Sequence, residues 1–535
     1  MNDSNHPTQT YVIPAGTTVI DQHILPTWKR DLTAIVIPDG VKEIADHAFS
    51  KCRSLTSITI PDGVTKIGSH AFAFCRGLTS IVIPSSVTEI GKDTFYFCDS
   101  LTSVSIPNGV TKIGEGAFQN CRSLTSVFIP DGVTEIGEQA FMDCNILASI
   151  SIPDGVTKIS NSAFESCCSL TSISIPDSVT KIGDRAFENC RSLISVAIPD
   201  SVTEIGIAAF EDCCSLVSIH IPDGITRISY NTFCNCHTLA SVHIPDSVTQ
   251  IDAVAFYDCR SLASIRIPDG VTEIGESTFS HCSSLASIHI PNGVTGIGLS
   301  AFAYCASLTS IAIPDGVTAI GNNAFYCCTG LTSITIPRSV TEIGEGAFGD
   351  CRALASVCIP DGVKRIGADT FCNCHRLTSI RIPDSVTEIG RDAFDHCVSL
   401  TSIALPDGIA SIDAELLRGC TGLASIVIPD GVTEIKKGAF IDCTGLTSVT
   451  IADGVAQIGA HAFAYCTGLT SVTIPDSVTA IGENAFYCCS GLTSITIPRS
   501  VTQIGEDAFG GVDRIIYGGS AQSDNNWGAK RRTRE

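Results

Sequence analysis

The sequence predicts an α/β-type repeat solenoid. One long parallel β-sheet lines its concave face, with short strands, turns or helical turns on the other side. Two observations carry this expectation. Leucine recurs every 23 residues from Leu32 through Leu55 and Leu78 to Leu492, giving 21 copies with no insertion. Each copy follows the pattern L-T-S-I-x-I-P-D-G-V-T-x-I-G-x-x-A-F-x-x-C-x-x, with positions counted 1 to 23 from the leucine. A chain of 535 residues would ordinarily divide into several globular domains. Units that bury an apolar face only against their neighbours grow by stacking instead, with no domain break.

The elements follow in chain order. Residues 1–10 are expected to be disordered, and residues 11–31 to form a shortened N-terminal cap. In that cap Ile13-Pro14 matches positions 6 and 7, and Ile24-Leu25 stands where later copies have Ala-Phe. Residues 32–514 are the solenoid. In each copy the S-I-x-I stretch alternates in polarity with the period of a half-buried strand. Proline at position 7, as in Pro61 and Pro84, lacks an N–H and ends that strand. Asp-Gly or Asp-Ser then supplies turn chemistry. Positions 10 and 13 return apolar side chains to the core. Glycine at position 14, as in Gly68, suits a second turn. Ala-Phe at 17 and 18 packs inward on a short helical or irregular turn. Phe49, Phe72 and Phe95 begin an aromatic spine that reaches Phe509 with Leu417 as its one substitution. Residues 515–520 are expected to cap the C-terminal end, and residues 521–535 to be a polar, basic, disordered tail.

Composition narrows the function. Hydrophobic residues are 44% of the chain, charged residues 16%, and the formal net charge is −22. Binding to nucleic acid needs clustered Lys and Arg to neutralise phosphates, so it is not expected. The first residues show no basic segment followed by an apolar one, so no signal peptide is expected. No apolar run is long enough for a transmembrane helix. By sequence alone the chain reads as cytoplasmic, without membrane insertion.

Twenty of the 27 cysteines sit at position 21, from Cys52 to Cys489. Equivalent residues on adjacent strands lie about 4.8 Å apart with parallel Cβ vectors. A disulfide needs facing Cβ atoms about 3.5–4.5 Å apart. The expectation is a ladder of buried thiols packing as small hydrophobes. Doublets such as Cys327-Cys328, and Cys234-x-Cys236, lack the paired spacing of a zinc site, so neither metal nor cofactor is expected. Gly296-Ile-Gly298-Leu-Ser-Ala301 spells a dinucleotide-binding fingerprint. Its residues occupy ordinary repeat positions and no βαβ unit surrounds them. No catalytic constellation is expected, because a regular ladder supplies neither distinctive residues nor a pocket.

The recurring I-P-x-x-V-x-x-I-G-x-x-A-F-x-x-C pattern resembles the BspA-like leucine-rich-repeat family, over roughly residues 11–520. The resemblance implies a leucine-rich-repeat horseshoe or arc. It also implies surface display or secretion, with adhesion to host matrix proteins or other cells. Ile516-Tyr517-Gly518-Gly519-Ser520 with Trp527 after it resembles the family's terminal capping segment.

Positions 3 and 5 should face out from the sheet. Position 3 is Ser from Ser57 to Ser494. Position 5 varies most, and His220, His243, Arg266 and His289 occupy it in four consecutive copies. These four are the candidate partner-binding residues. They are expected to form a neutral-to-basic strip about 15 Å long at the strand spacing, suited to an acidic or aromatic group of a partner. Position 12 alternates in sign from Glu43 and Lys66 to Glu135 and Lys158, which reads as a surface ion-pair ladder. The expected function is a monomeric, non-enzymatic scaffold that binds a protein partner, whose identity the sequence does not give. The alternative is a passive structural or surface-coat repeat. A flat Ser/Thr array also has the composition of an ice- or polysaccharide-binding surface.

Overall fold

A computed structural model of the chain describes residues 9–534. Most of the N-terminal segment expected to be disordered, residues 1–8, lies outside the described residues. The chain forms two compact units, divided between Gly270 and Val271. Each is a parallel β-solenoid. Among the described residues the only helical segments are two single turns, Lys29–Asp31 and Asn526–Gly528.

In the N-terminal unit the chain enters the sheet at Thr10–Val12, in parallel register with Ala34–Val36. Tyr11 donates its hydroxyl to the Ile24 carbonyl at 2.8 Å, which ties the shortened cap together. Most later turns then contribute two short strands. One spans positions 3–5, as in Ser218–His220, with exposed, buried, exposed side chains. The other spans positions 12–13, as in Arg227–Ile228, with the isoleucine buried. Many pair in parallel with the copy 23 residues on, as in Ser218↔Ser241 and Arg227↔Gln250, in sheets of two to six strands. In-register parallel pairing keeps like positions on one face, so the sequence period becomes columns of identical side chains.

Between these strands the position-10 amide returns to the proline carbonyl, as in Val64 to Pro61 at 3.1 Å. Where Ser replaces Gly at position 9, its hydroxyl donates to the position-10 carbonyl of the preceding turn. Ser178 to Val156 at 2.6 Å and Ser201 to Val179 at 2.7 Å are examples.

The far side holds no helix. Positions 16 and 20 adopt left-handed backbone in turn after turn, as at His47 and Lys51 or Asn231 and Asn235. Even the β-branched Val254 does so, at φ 63°. These two left-handed residues bracket Ala-Phe and point its ring inward. Amides at positions 16, 18 and 20 donate forward to the next turn: His47 to Ser69, Phe49 to Ala71 and Lys51 to Ala73, at 2.7–3.0 Å.

Position 14 corrects the expectation that its glycine serves a turn. The turn's left-handed residues are at 16 and 20, and Gly68 has no positive φ. A Cβ on Gly68 would lie 2.6 Å from the Asp46 amide nitrogen and 2.8 Å from the Ala45 carbonyl carbon. At Gly68 glycine suits a close approach of adjacent turns and does not supply dihedral freedom, while Ala45, Ser160 and Lys436 show that the same position accepts a side chain in other turns.

The core is a set of ladders. Rings from Phe49 to Phe256 stack at 5.2–5.9 Å between centroids, within the favourable offset range. All 27 cysteines are free thiols. The ladder thiols do more than fill space. Cys75 donates to the Phe49 carbonyl at 3.2 Å, and this bond recurs up to Cys489 and Phe463 at 3.1 Å. That carbonyl already accepts the Cys52 amide, so the thiol satisfies its second lone pair. Burial pushes the thiols up, Cys52 to about 11 and Cys328 to about 12, which removes their nucleophilic form. Where Thr replaces Ala at position 17, the buried hydroxyl finds a carbonyl three residues back, as in Thr94 to Gly91 at 2.9 Å. The position-12 charges pair only in places: Lys66–Glu43 at 2.6 Å and Lys112–Glu135 at 3.3 Å, but Lys158 stands in register with Lys181.

The C-terminal unit repeats this plan and ends differently. Ser494–Ile497 pairs with Arg514–Tyr517, and that strand pairs with Arg531–Thr533. Residues 521–534, expected as a disordered tail, therefore complete the cap, and this corrects the boundary at 520. The physical reason is that the last full turn needs a neighbour. Phe509 donates its amide to the Trp527 carbonyl at 2.9 Å, where earlier phenylalanines use the next turn. Trp527 and Tyr517 are buried edge to face at 5.6 Å. Arg532 lies 5.1 Å from both ring centres, a cation–π lid over the end of the core.

Candidate functional site

The strand face is built from positions 3 and 5, whose side chains stand outward because the intervening position 4 is buried. His220, His243, Arg266 and His289 are all exposed. The structure brings His220 and His243 together. They pair in register, and their rings stand parallel within 2° at 6.2 Å. Arg266 lies on the next position-5 strand, Ser264–Arg266. His289 belongs to the C-terminal unit, on Ser287–His289.

Arg266 departs from the expected basic strip. Its guanidinium bonds Asp246, at position 8 of the preceding turn, at 2.6 Å, and Asp269 stands at 3.9 Å. Hydrogen bonding to Arg266 holds the Asp246 carboxyl below its usual range. Position 5 of one turn thus sits within reach of position 8 of the turn before. Arg381 repeats the arrangement with Asp361 at 3.4 Å. The sequence shows both columns, but not that a side chain crosses between them. What remains outward at the histidine pair is two imidazoles, each able to donate and accept one hydrogen bond when neutral.

Sequence reasoning missed clusters on the far side. His237 and Arg260 both bond Asp258, at 3.0 and 2.7 Å. Burial pushes the Asp258 carboxyl up, but Arg260 and His237 outweigh it and hold the group below its usual range. Arg418 and His396 similarly share buried Asp395, at 2.7 and 2.6 Å. Phe74, Tyr96 and Phe97 form a mutually packed aromatic cluster, with Arg76 5.9 Å from the Phe97 ring centre. All arise at positions 16–22, where the repeat pattern leaves the residue free and only stacking decides the neighbours. No group of three or more His, Cys, Asp or Glu side chains among the described residues is placed to hold a metal ion. Gly296–Ile297, inside the nucleotide-like fingerprint, is an ordinary short strand paired with Glu273–Ile274, and no helix follows it.

A family model described as a BspA type leucine rich repeat region matches residues 20–148, 140–263, 203–332, 249–365, 295–424, 342–466 and 433–517. The chain belongs to the BspA-type leucine-rich-repeat family. No curated protein matches it. Among solved structures, this BspA-type chain is similar to a leucine-rich repeat protein from Bacteroides ovatus, at 26% identity over 85% of this chain and 92% of that one, with a TM-score of 0.48. It is similar to a leucine rich cell surface protein from Faecalibacterium prausnitzii, at 28% identity over 71% and 89%, TM-score 0.35. It is also similar to a leucine rich repeat protein from T. pallidum, at 34% identity over 34% and 78%, TM-score 0.29. No helix of the described residues is long and apolar enough to cross a membrane.

Proposed function

We propose that this protein is a non-enzymatic, monomeric scaffold that binds a protein partner on its strand face, through His220, His243, Arg266 and His289. Adhesion to host or cell-surface proteins is the form of binding that the family resemblance implies. The supporting observation is the contrast between two exposed columns. Position 3 is uniformly serine over most of the chain, while position 5 carries the parallel imidazoles of His220 and His243. Solenoids bind through such extended faces, and outward imidazoles offer hydrogen bonds to a partner's polar or acidic groups.

The test is a pull-down with immobilised protein, wild type against His220→Ser/His243→Ser/Arg266→Ser/His289→Ser, with bound proteins quantified by mass spectrometry. Serine and threonine already occupy position 5 elsewhere, as at Ser174 and Thr450, so the variant should keep its circular dichroism. Selective loss of a prey supports the reading, and equal prey on both proteins rejects it. A second reading, a passive structural or surface-coat repeat, is favoured by the uniform serine column. Absence of specific prey on either protein would support that one.

A further inference from the structure

We infer that the C-terminal end of the strand face is a separate binding site for an anionic polysaccharide, one bearing carboxylate or sulfate groups. A depression of roughly 810 Å³ lies there, lined by Ser471, Thr473, Ser494 and Thr496 and also by one acid, Asp476, and one base, Arg499. That volume is in the range of ligand-binding clefts.

The charge beside it is unusual for this chain. In register, Ser494 stands opposite Arg514, and Arg514 opposite Arg531. Both arginines are exposed, so the column that is serine from Ser57 onward ends in two guanidiniums on the open face. The strand-face arginines within the repeats, Arg266 and Arg381, are each tied to an aspartate of the preceding turn. Among the described residues, neither Arg514 nor Arg531 has a carboxylate partner, while their neighbour Lys530 reaches Asp513 at 3.8 Å. Like charges facing each other on adjacent strands, about 4.8 Å apart, repel. An anion bridging them relieves that repulsion and gains charge-assisted hydrogen bonds. The net charge of the whole chain is −22, yet residues 513–535 hold Arg514, Lys530, Arg531, Arg532 and Arg534 against Asp513, Asp524 and Glu535. Arg532 is taken up by the Tyr517 and Trp527 rings, which leaves the other cations to face solvent.

The floor selects the class of polyanion. Backbone groups of the strands point along the sheet to neighbouring strands, not out of its face. The floor of the depression therefore offers hydroxyls, with guanidiniums beside them, while the open strand edge at Arg531–Thr533 lies two strands away from it. Rows of Ser and Thr match a polyhydroxylated chain, and the arginines match its acidic substituents.

The experiment is calorimetric titration of the full chain with four oligomers. These are a heparin-derived octasaccharide, an oligogalacturonate of equal length, a neutral malto-oligosaccharide and oligoglutamate. At least one anionic saccharide should bind saturably and more weakly as salt rises, and the other two should not bind. The saccharide that binds separates sulfate from carboxylate recognition. Arg514→Ser/Arg531→Ser restores the serine column and should weaken binding by about tenfold or more, while Arg514→Lys/Arg531→Lys should keep most of it. Thr473→Val/Thr496→Val, which removes hydroxyls at constant shape, should cost several-fold. His220→Ser/His243→Ser should change nothing, so failure here and failure of the protein-binding proposal are distinguishable. The inference is overturned if no anionic saccharide binds, if oligoglutamate binds equally, or if Arg514→Ser/Arg531→Ser leaves saccharide affinity intact. Self-association of that variant with intact affinity would also overturn it, and would assign the arginines to protecting the edge strand.

Discussion

The two units differ at one place in their phenylalanine spine. In the N-terminal unit the stacked rings run unbroken from Phe49 to Phe256. In the C-terminal unit they run from Phe279 to Phe394 and again from Phe440 to Phe509, with Leu417 between. At the break, Leu416-Leu417 replaces Ala-Phe, and both leucines are fully buried. The hydrogen bonds ignore the change. Leu417 donates to the Ala439 carbonyl at 2.9 Å and accepts the Cys443 thiol at 3.1 Å. Phe164 makes the equivalent bonds to Ala186 and from Cys190, at 2.9 and 3.2 Å. The backbone-and-thiol grid is therefore the frame, and the rings are volume that a pair of leucines can supply.

Three changes test that division, the largest effect first. Phe164→Ala empties a ring site in the unbroken spine and should cost about 3–5 kcal/mol. Copying the natural break as Ala163→Leu/Phe164→Leu should cost less than half of that, since packing volume is returned. Urea denaturation with local hydrogen exchange would measure both, because stacked repeats need not unfold in one step. A double-leucine variant as unstable as Phe164→Ala would show that the rings do more than fill space.

The second change acts on the grid. Cys167→Ala removes the donor to the Phe141 carbonyl, 3.3 Å away, and should cost about 1–2 kcal/mol. Cys443→Ala, whose acceptor is the Leu417 carbonyl, should cost the same within error. A smaller loss at Cys443 would tie the thiol bond to the aromatic ring and break the comparison.

The third effect is pH-dependent and smallest. Burial, with Glu165 and Glu211 beside it, pushes the Glu188 carboxyl in the N-terminal unit up to about 7. In the C-terminal unit burial, with Glu415 and Asp369, pushes Asp392 up to about 6. Each folded unit holds that proton more tightly than the unfolded chain does. The associated stability is complete below the ordinary carboxylate range and is lost as pH rises through these values. Glu188→Gln should raise the melting temperature at pH 8 and leave it unchanged near pH 4. Asp392→Asn should do the same with its window about one pH unit lower. Thermal melts at several pH values decide this, and a gain from Glu188→Gln that is equal at all pH values would reject it.

The sequence by itself determined the fold class, the 23-residue register, the buried spine and the outward columns that carry His220, His243, Arg266 and His289. A strict period leaves one way for identical apolar positions to bury each other, so those features follow from spacing alone. Only the tertiary structure decided what depends on the distance between turns. Gly68 is small because the turn before it is close. The Cys75 thiol has an acceptor because stacking places the Phe49 carbonyl beside it. Arg266 is neutralised because position 8 of one turn lies within reach of position 5 of the next. The last residues, polar and basic in composition, are drawn into the cap because an unpaired final turn exposes open hydrogen bonds and apolar surface. Trp527 and the register of Arg531–Thr533 close both.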